Sequence, residues 1–469
     1  MSIPAEHKGR YIYHFTHLEN LENIVEKGLL STNLKNELGI KHKNIANFDI
    51  QCRRANMSVT CGPGGFVHDY VPFYFCARVP MLLGVLNSKN VDQQFIIYLA
   101  VPISVLTRDD VVFTSASANT AIPPSFFNDP SDLSNLKWEL IDSDKWGYSE
   151  DDLHAKMAEA LIHRKVEISD VKYVVVWNES IRDGVESILK GVDDAPSTEF
   201  DGYIHNYGGK EHHQNHFFSK FWLSKKGKSI ITGPYFLKAT FDATVTNIIK
   251  KRKSPIKNPR FQNVSDAIVQ IEEDFSILPE LEDIVDLETA NRIHWQSVCE
   301  HSKRVAKKIT QQTEYNSLPK YRKNILKLVA YLHDIGKGVS QKDNKGRQKV
   351  DNDHPAGAMP MLERILSEEF QQLSEEKIRQ IVMLVCYHDL IGDICGKDRD
   401  RDQIMDVIDD ITDFDMLSVI SKADVASLII NKKRLIIFQE IDPAQWLSRI
   451  TNKLPELRKW VEDELEEAE

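Results

Sequence analysis

Four ionisable residues sit where helical periodicity demands burial, and they constrain the second half of this 469-residue chain more than any other feature. Val298, Val305 and Ile309 place His301 on an apolar helix face, and Ile325, Leu328 and Leu332 lead into His333 in the same way. His388 follows Ile381, Leu384 and Val385, while Asp424 lies between Leu417, Ile420 and Leu428. Ionisable groups buried singly are costly. A metal ion shared at the point where these faces converge satisfies all four at once. From Leu287 onward the pattern is helical almost throughout, ending in the acidic amphipathic stretch PELRKWVEDELEEAE. An all-α fold around a metal centre is the expectation.

The pair His333-Asp334 in LHDIGK, with His301 before it and Asp424 after it, resembles the H…HD…D signature of HD-domain phosphohydrolases. His354 in DHPAGA and His388 extend the set to six, as in dinuclear members of that superfamily. The resemblance implies that His301, His333, Asp334, His354, His388 and Asp424 are metal ligands, with Asp334 bridging two ions. Lys337 would neutralise a substrate phosphate. Mixed imidazole and carboxylate donors suit divalent transition metals: Mn, Fe, Co, Zn or Ni. A pair of such ions lowers the pKa of a bound water to make a nucleophile. His212, His213 and His216 in KEHHQNHF lack carboxylate or apolar framing and read as exposed.

The first third alternates short strands with helices. YIYHFT reads as a strand, LENLENIVEKGLL as a helix closed by Gly28, and FIIYLAVPISVL and VKYVVVWN as buried strands. Further on, SIITGPYFLKATF reads as strand-like. The stretch Thr114–Met157, rich in Ser, Asn, Asp and Pro, reads as a long functional loop. Glu159 in MAEAL, just beyond it, reads as helical. The HFT strand, the segment DIQCRRANMSV, the aromatic block DYVPFYFCARVP and Glu159 follow one another in an order that resembles the DarT family. Those toxins move ADP-ribose from NAD onto a base of single-stranded DNA. The likeness spans Tyr11 to Leu189.

Such a transfer passes through an oxocarbenium-like state, comparable in charge development to glycoside hydrolysis. It needs a clamp on the nicotinamide ribose and an anion near the developing charge. His14, with Thr16 two residues on and facing the same side, fits the clamp. Glu159 fits the anion and can take a proton from the accepting base. The family's arginine falls on Arg53 or Arg54, the tandem leaving the register open by one. Tyr70 and Tyr74 are expected to stack on nicotinamide or shape its pocket. Phe126, Phe127, Trp138, Trp146 and Tyr148 in the long loop suit stacking on unpaired bases. That loop matches the family less well than the NAD side, so thymine, another base or RNA stay open as acceptors.

Formal net charge is −11, divided as 19 − 24 = −5 over residues 1–190, 12 − 11 = +1 over 191–280 and 28 − 35 = −7 over 281–469. This excludes a generic nucleic-acid coat, so a nucleic-acid partner needs a local basic groove. The basic run Lys250–Arg260 reads as a solvated linker. No apolar run approaches the ~20 residues of a membrane span, and the start lacks a signal-peptide core. A cytoplasmic protein with free thiols and no membrane partner is expected. The domain expectation is 1–190 DarT-like, 191–285 a connector and 286–469 HD. In fold terms this is an α+β ADP-ribosyltransferase domain followed by an all-α HD domain. The role implied is a toxin or anti-phage effector acting on single-stranded DNA or RNA, with a separate antitoxin or defence partner. Its HD module would hydrolyse a phosphate ester or reverse the modification in cis. The competing reading is an HD nucleotide or cyclic-nucleotide phosphodiesterase with an NAD-binding sensor domain.

Overall fold

The computed structural model describes all residues except 1, 46–47, 121, 144–148, 208–209, 219–230, 290–295, 340–341, 343–344, 349–352, 430–441 and 469. Side chains of 48–49, 203–207, 210–214, 339 and 468 also lie outside the description. The chain divides into Met1–Asn87 with Val91–Phe218, and Ser88–Asn90 with Ser219–Glu469.

Short apolar runs separated by turn residues build the first unit into strands. They are β1 (Tyr11–His17), β2 (Leu29–Leu30), β3 (Tyr70–Tyr74), β4 (Ile96–Pro102), β5 (Val111–Thr114), β6 (Phe126–Phe127), β7 (Glu159–His163), β8 (Lys165–Val166), β9 (Tyr173–Val176), β10 (Ser197–Phe200), β11 (Tyr203–Tyr207) and β12 (Lys210–Gln214). Eight of them form one sheet in the order β10-β9-β4-β1-β3-β7-β5-β6. Ile12, Val71, Phe73, Leu99, Ala160 and Val174 belong to the main core of this unit. The helix Leu21–Lys27 ends at Gly28, whose φ of +80° is open to glycine at little cost. A Cβ there would stand 2.3 Å from Lys165 Cε and 2.8 Å from Val166 O, so β2 and β8 could not lie so close.

β1 and β3 share one paired position, Tyr13 with Tyr74. Pro72 has no N–H to extend that ladder, and its carbonyl instead accepts the His14 ring Nδ1–H at 2.7 Å. Side chains from both strands line the cavity at this place. β3 pairs along its whole length with β7, setting Tyr74 opposite Glu159. Glu159 is therefore the first residue of a strand, correcting the helical reading; MAEAL lacks the polar face that a surface helix needs. The preceding stretch is no structureless loop. It contributes β6, the helices Trp138–Ile141 and Glu150–Lys156, and a 3₁₀ turn.

The sequence-expected connector 191–285 is shared out between the two units. β10 lies parallel to β9, with Ser197 opposite Tyr173 and Phe200 opposite Val176. Pro234–Arg252 is a helix, overturning the strand reading of GPYFLKATF, and it packs on the helices Met359–Glu368 and Glu375–Cys386. Proline at its first position and Leu237, Phe241 and Ile248 on one face explain the outcome. The basic run ending this helix is tied to its own unit: Arg252 donates to the carbonyls of Leu366 and Phe370, and Lys251 pairs with Glu363.

The second unit is helical around one apolar core. Its helix Val298–Ile309 starts at a capping box in which Ser297 Oγ accepts from Glu300 N, and Glu300 Oε2 accepts from Ser297 N. Burying a side chain such as Ile309 contributes about 1.5–3 kcal/mol, and the stripe Val298, Val305, Ile309 fixes the direction in which His301 points. The long helix Pro443–Ala468 packs on Ile411–Ser427 and Leu390–Gly396. No helix among the described residues is long and apolar enough to cross a membrane. All six cysteines are free thiols.

Candidate active site and candidate metal centre

A cavity of about 420 Å³ opens in the first unit where β1 and β3 share their single pair. His14, Thr16, Arg54, Tyr70 and Tyr74 all line it, so five residues chosen from sequence meet in one place. Lys27, Lys35 and Lys43 add positive charge, and no described residue lining the cavity is a carboxylate. The overall acidity of the chain therefore gives way locally to a cationic cleft suited to an anionic ligand.

The structure separates the tandem arginines. Both lie on the helix Phe48–Ala55, but successive helical residues point about 100° apart. Arg53 is exposed and donates through Nε to the carbonyl of Asn119 at 3.0 Å. Arg54 is buried, and its Nη1 lies 2.9 Å from each carboxylate oxygen of Glu159. Its Nη2 is buried without a partner. Glu159 has no exposed surface. Its Oε1 also accepts from the Ala118 N–H at 2.8 Å and from Ser117 Oγ at 3.3 Å. Sequence reasoning missed these two partners, and a backbone donor leaves no compositional trace. It also missed Asn20, which lines the cavity and donates to Thr16 Oγ1 at 3.0 Å.

Burial pushes the His14 imidazole from its ordinary 6.5 down to about 4, against the raising influence of its bond to Pro72. The ring is therefore neutral, with the hydrogen on Nδ1 and the Nε2 lone pair free for a donor. Tyr74 is buried, and its phenol is pushed well up, first by burial and then by the Glu159 charge. Its ring stacks on Phe15. Tyr70 donates to the Gly64 carbonyl at 2.7 Å, so its hydroxyl is already engaged.

The aromatic residues of the long stretch fare differently. Trp138 stacks on His7 at 4.4 Å, carries Arg10 over its ring at 4.1 Å and donates to the Leu133 carbonyl. It is a packing residue and not a base platform, which corrects the sequence reading. Phe127 packs on Phe113, and Phe126 lies against the small cluster around Val59, Tyr70 and Ala118. Trp146 and Tyr148 lie outside the described residues.

In the second unit all six expected ligands converge. One group is His301, His333 and Asp424; the other is Asp334, His354 and His388. Asp334 faces both: Oδ2 lies 3.4 Å from His333 Nε2, and Oδ1 lies 3.2 Å from His354 Nε2. His333 and His388 donate through Nδ1 to the carbonyls of Ala330 and Val385. His388, whose imidazole burial pushes down, keeps an Nε2 lone pair facing inward. The fully buried His333 Nε2 has no hydrogen-bond partner, and Asp334 and Asp424 more than offset burial to raise its imidazole above the ordinary value. Asp334 Oδ1 is buried and makes no hydrogen bond of good geometry, with His354 Nε2 as its neighbour at 3.2 Å. Burial alone would push the Asp334 carboxyl up, but His333 and Lys337 more than offset this and hold it well below the usual range. Inward-facing imidazole nitrogens crowded around ionised carboxylates, one of them buried without a partner, form a donor set that a divalent cation satisfies, so these residues fit one. Lys337 Nζ sits 2.6 Å from Asp334 Oδ2. Gly336 lets the His354 segment approach: a Cβ there would meet His354 O at 2.0 Å.

His216 departs from expectation. It is fully buried, its Nδ1 lies 3.2 Å from Asp201 Oδ1, and its ring meets Tyr13 and Tyr98 edge-on. The side chains of His212 and His213 lie outside the described residues.

Together these features define an α+β domain with a cationic ligand cleft, followed by an all-α domain with a histidine–aspartate centre. A family model described as "ssDNA thymidine ADP-ribosyltransferase, DarT" matches residues 13–207, and one described as "HD domain" matches residues 298–413. A DNA ADP-ribosyl transferase of Thermus sp. (strain 2.9) is 30% identical over 188 residues, 39% of this chain and 89% of the relative. One from Thermus aquaticus is 32% identical over 182 residues, 38% of this chain and 80% of the relative. The solved structure of Thermus sp. 2.9 DarT in complex with ADP-ribosylated ssDNA is 29% identical, covering 43% of this chain and 96% of its own, with a TM-score of 0.39. The chain belongs to the DarT family, with an HD domain fused behind the transferase domain.

Proposed function

We propose that the first unit transfers ADP-ribose from NAD to a base of single-stranded DNA, with Glu159, Arg54 and His14 as its central residues. The observation that carries this reading is the buried Arg54–Glu159 pair, in which Arg54 lines a cationic cleft with no carboxylate among its described lining residues and Glu159 lies behind it. The family description and the relatives' names support the acceptor and the transfer of ADP-ribose. In the transfer, the bond between ribose C1′ and nicotinamide breaks, and nicotinamide leaves as a neutral base. A ring nitrogen of the acceptor bonds to C1′, and the proton it loses goes to Glu159 or to water. Glu159 supplies the negative field that the oxocarbenium-like state needs. Arg54 holds that carboxylate with Nη1 and keeps Nη2 for an oxygen of the donor. Neutral His14 accepts a ribose hydroxyl at Nε2, Thr16 lies beside it, and Tyr74 forms an apolar wall for the nicotinamide ring.

Mass spectrometry of oligonucleotides incubated with NAD and the purified chain tests this. An added ADP-ribose on single-stranded DNA, with duplex of the same sequence at least tenfold less modified, is the expected result, because a paired base must be extruded to react. Equal labelling of duplex overturns the unpaired-strand preference, and labelling of RNA alone overturns the DNA acceptor. A pH titration of NAD binding checks His14. The folded pKa lies below the unfolded 6.5, so neutral His14 is fully present above 6.5 and affinity should hold until the pH nears about 4. The same shift makes folding progressively less favourable as pH falls from 6.5 towards 4, because only the unfolded chain takes up this proton there. Binding that halves near pH 6.5 would remove the clamp role.

We further propose that the second unit is a metal-dependent phosphohydrolase, its ligands being the six residues above and Lys337 its phosphate-neutralising cation. Bound divalent ions would supply a polarised water as nucleophile. The donor set suits phosphate esters better than reversal of the modification, which would require cleavage of a glycosidic bond. Modification of template bases fits a toxin or anti-phage effector, and loss of viability on expressing the parent chain, absent with Glu159→Gln, is the expected sign.

A further inference from the structure

Gln296 occupies a position that neither the HD pattern nor the family match explains. It is buried beside the end of the helix Ile411–Ser427, immediately before the capping box that starts the His301 helix. Its Nε2 lies 3.2 Å from the Ser427 carbonyl and 2.7 Å from His301 Nδ1. A backbone carbonyl can only accept, so the Gln296 atom facing it must be the NH₂ group. The same NH₂ donates its other hydrogen to His301 Nδ1. That nitrogen is then an acceptor, and the ring hydrogen stands on Nε2, which lies 2.6 Å from Asp424 Oδ1. His301 and Asp424 are thus hydrogen-bonded to each other, and the lone pair that would face a cation is absent. His333 and His388 have the opposite arrangement, with Nδ1 donating to a carbonyl.

A second observation points the same way. Gln296 Oε1 is buried with no partner. Turning the amide over would give Oε1 the His301 Nδ1–H, while Ser427 O would keep Arg304 Nε, which already donates to it at 3.2 Å. A buried acceptor left unmade is costly, and turning the amide relieves it while setting Oε1 about 3.2 Å from the Ser427 carbonyl, so a cation at His301 decides which orientation wins. We propose that Gln296 is a positioning residue whose amide orientation selects the His301 tautomer and so opens or closes the His301–His333–Asp424 group to a divalent cation. This rests on the metal-centre reading of the second unit. The ring keeps one hydrogen throughout and only its location changes, as is common where an outer partner fixes the tautomer of a histidine ligand.

The full chain, freed of metal by chelation and titrated with Mn²⁺, tests it. Gln296→Glu offers only acceptors to Nδ1 and should tighten the weaker of two binding events by about tenfold, the range typical of outer-shell changes. Gln296→Leu offers neither donor nor acceptor and should not reproduce that gain. ¹⁵N-histidine spectra of the diamagnetic Zn²⁺ form, assigned with His301→Gln, separate tautomer from added charge. The metal-free parent should carry the His301 hydrogen on Nε2, and both the Zn²⁺-loaded parent and metal-free Gln296→Glu on Nδ1. Nδ1–H in the metal-free parent, or Mn²⁺ affinity unmoved by Gln296→Glu, overturns the inference while leaving the metal centre intact. Failure of the parent chain to bind either ion overturns both.

Discussion

Glu159→Gln is expected to lower the rate of ADP-ribosyl transfer by roughly 10²–10³-fold, the usual loss when one preorganised electrostatic group is removed. The substitution preserves shape. A glutamine oxygen can still accept from the Ala118 N–H, and the strand pairing of Glu159 with Tyr74 depends on backbone alone. What disappears is the charge and one of the two oxygens that hold Arg54. Because Arg54 is buried, leaving its guanidinium without a carboxylate is costly, and up to about 3–5 kcal/mol of stability is at stake in such a broken pair. The thermal midpoint must therefore be measured beside the rate. NAD titration should still saturate, since His14, Thr16 and the lysines of the cleft are untouched. Undiminished labelling by folded Glu159→Gln would remove Glu159 from the reaction altogether.

The second unit was legible from sequence because its rule is redundant. Four of the six candidate ligands, His301, His333, His388 and Asp424, interrupt apolar helical faces, and these interruptions meet in one place, whereas Asp334 and His354 came from the HD pattern. The pairing of His301 with Gln296 left no such mark, because Gln296 precedes the helix whose periodicity would have exposed it. In the first unit, sheet order was beyond reach of any periodicity: β3 meets β7 across the 84 residues 75–158, and register depends on which faces the core accepts. The tandem Arg53-Arg54 illustrates the gap. Composition presents two equal candidates, and only the phase of a short helix decides that Arg54 turns inward to Glu159 while Arg53 meets the Asn119 carbonyl. Trp138 shows the converse error. A tryptophan in a polar stretch reads as a stacking platform, yet His7 and Arg10 from the chain's beginning cover its ring. Such long-range partners are invisible to a local window.

Replacing His333 and Asp334 together by alanine is expected to reduce bound transition metal from about two ions per chain to near none, because metal sites of this kind depend on ligand count and geometry. Asp334 is decisive because its two oxygens face different ligand groups, so its loss weakens both at once. His333 is fixed through Nδ1 by the Ala330 carbonyl, and its inward Nε2 is buried without a hydrogen-bond partner. The double variant also removes a carboxylate that Lys337 holds at 2.6 Å, leaving the ammonium to seek Asp424 or solvent. Elemental analysis of protein purified without chelator reads the metal content directly. Stability supplies an independent readout: an ion present at a hundredfold excess over its dissociation constant adds about 2.7 kcal/mol to the folded state. Chelation should therefore lower the thermal midpoint of the parent chain and leave that of the double variant unchanged. If the parent chain carries no metal, takes none on reconstitution and melts identically with and without chelator, then the converging histidines satisfy one another without a cation, and the phosphohydrolase assignment falls with the metal.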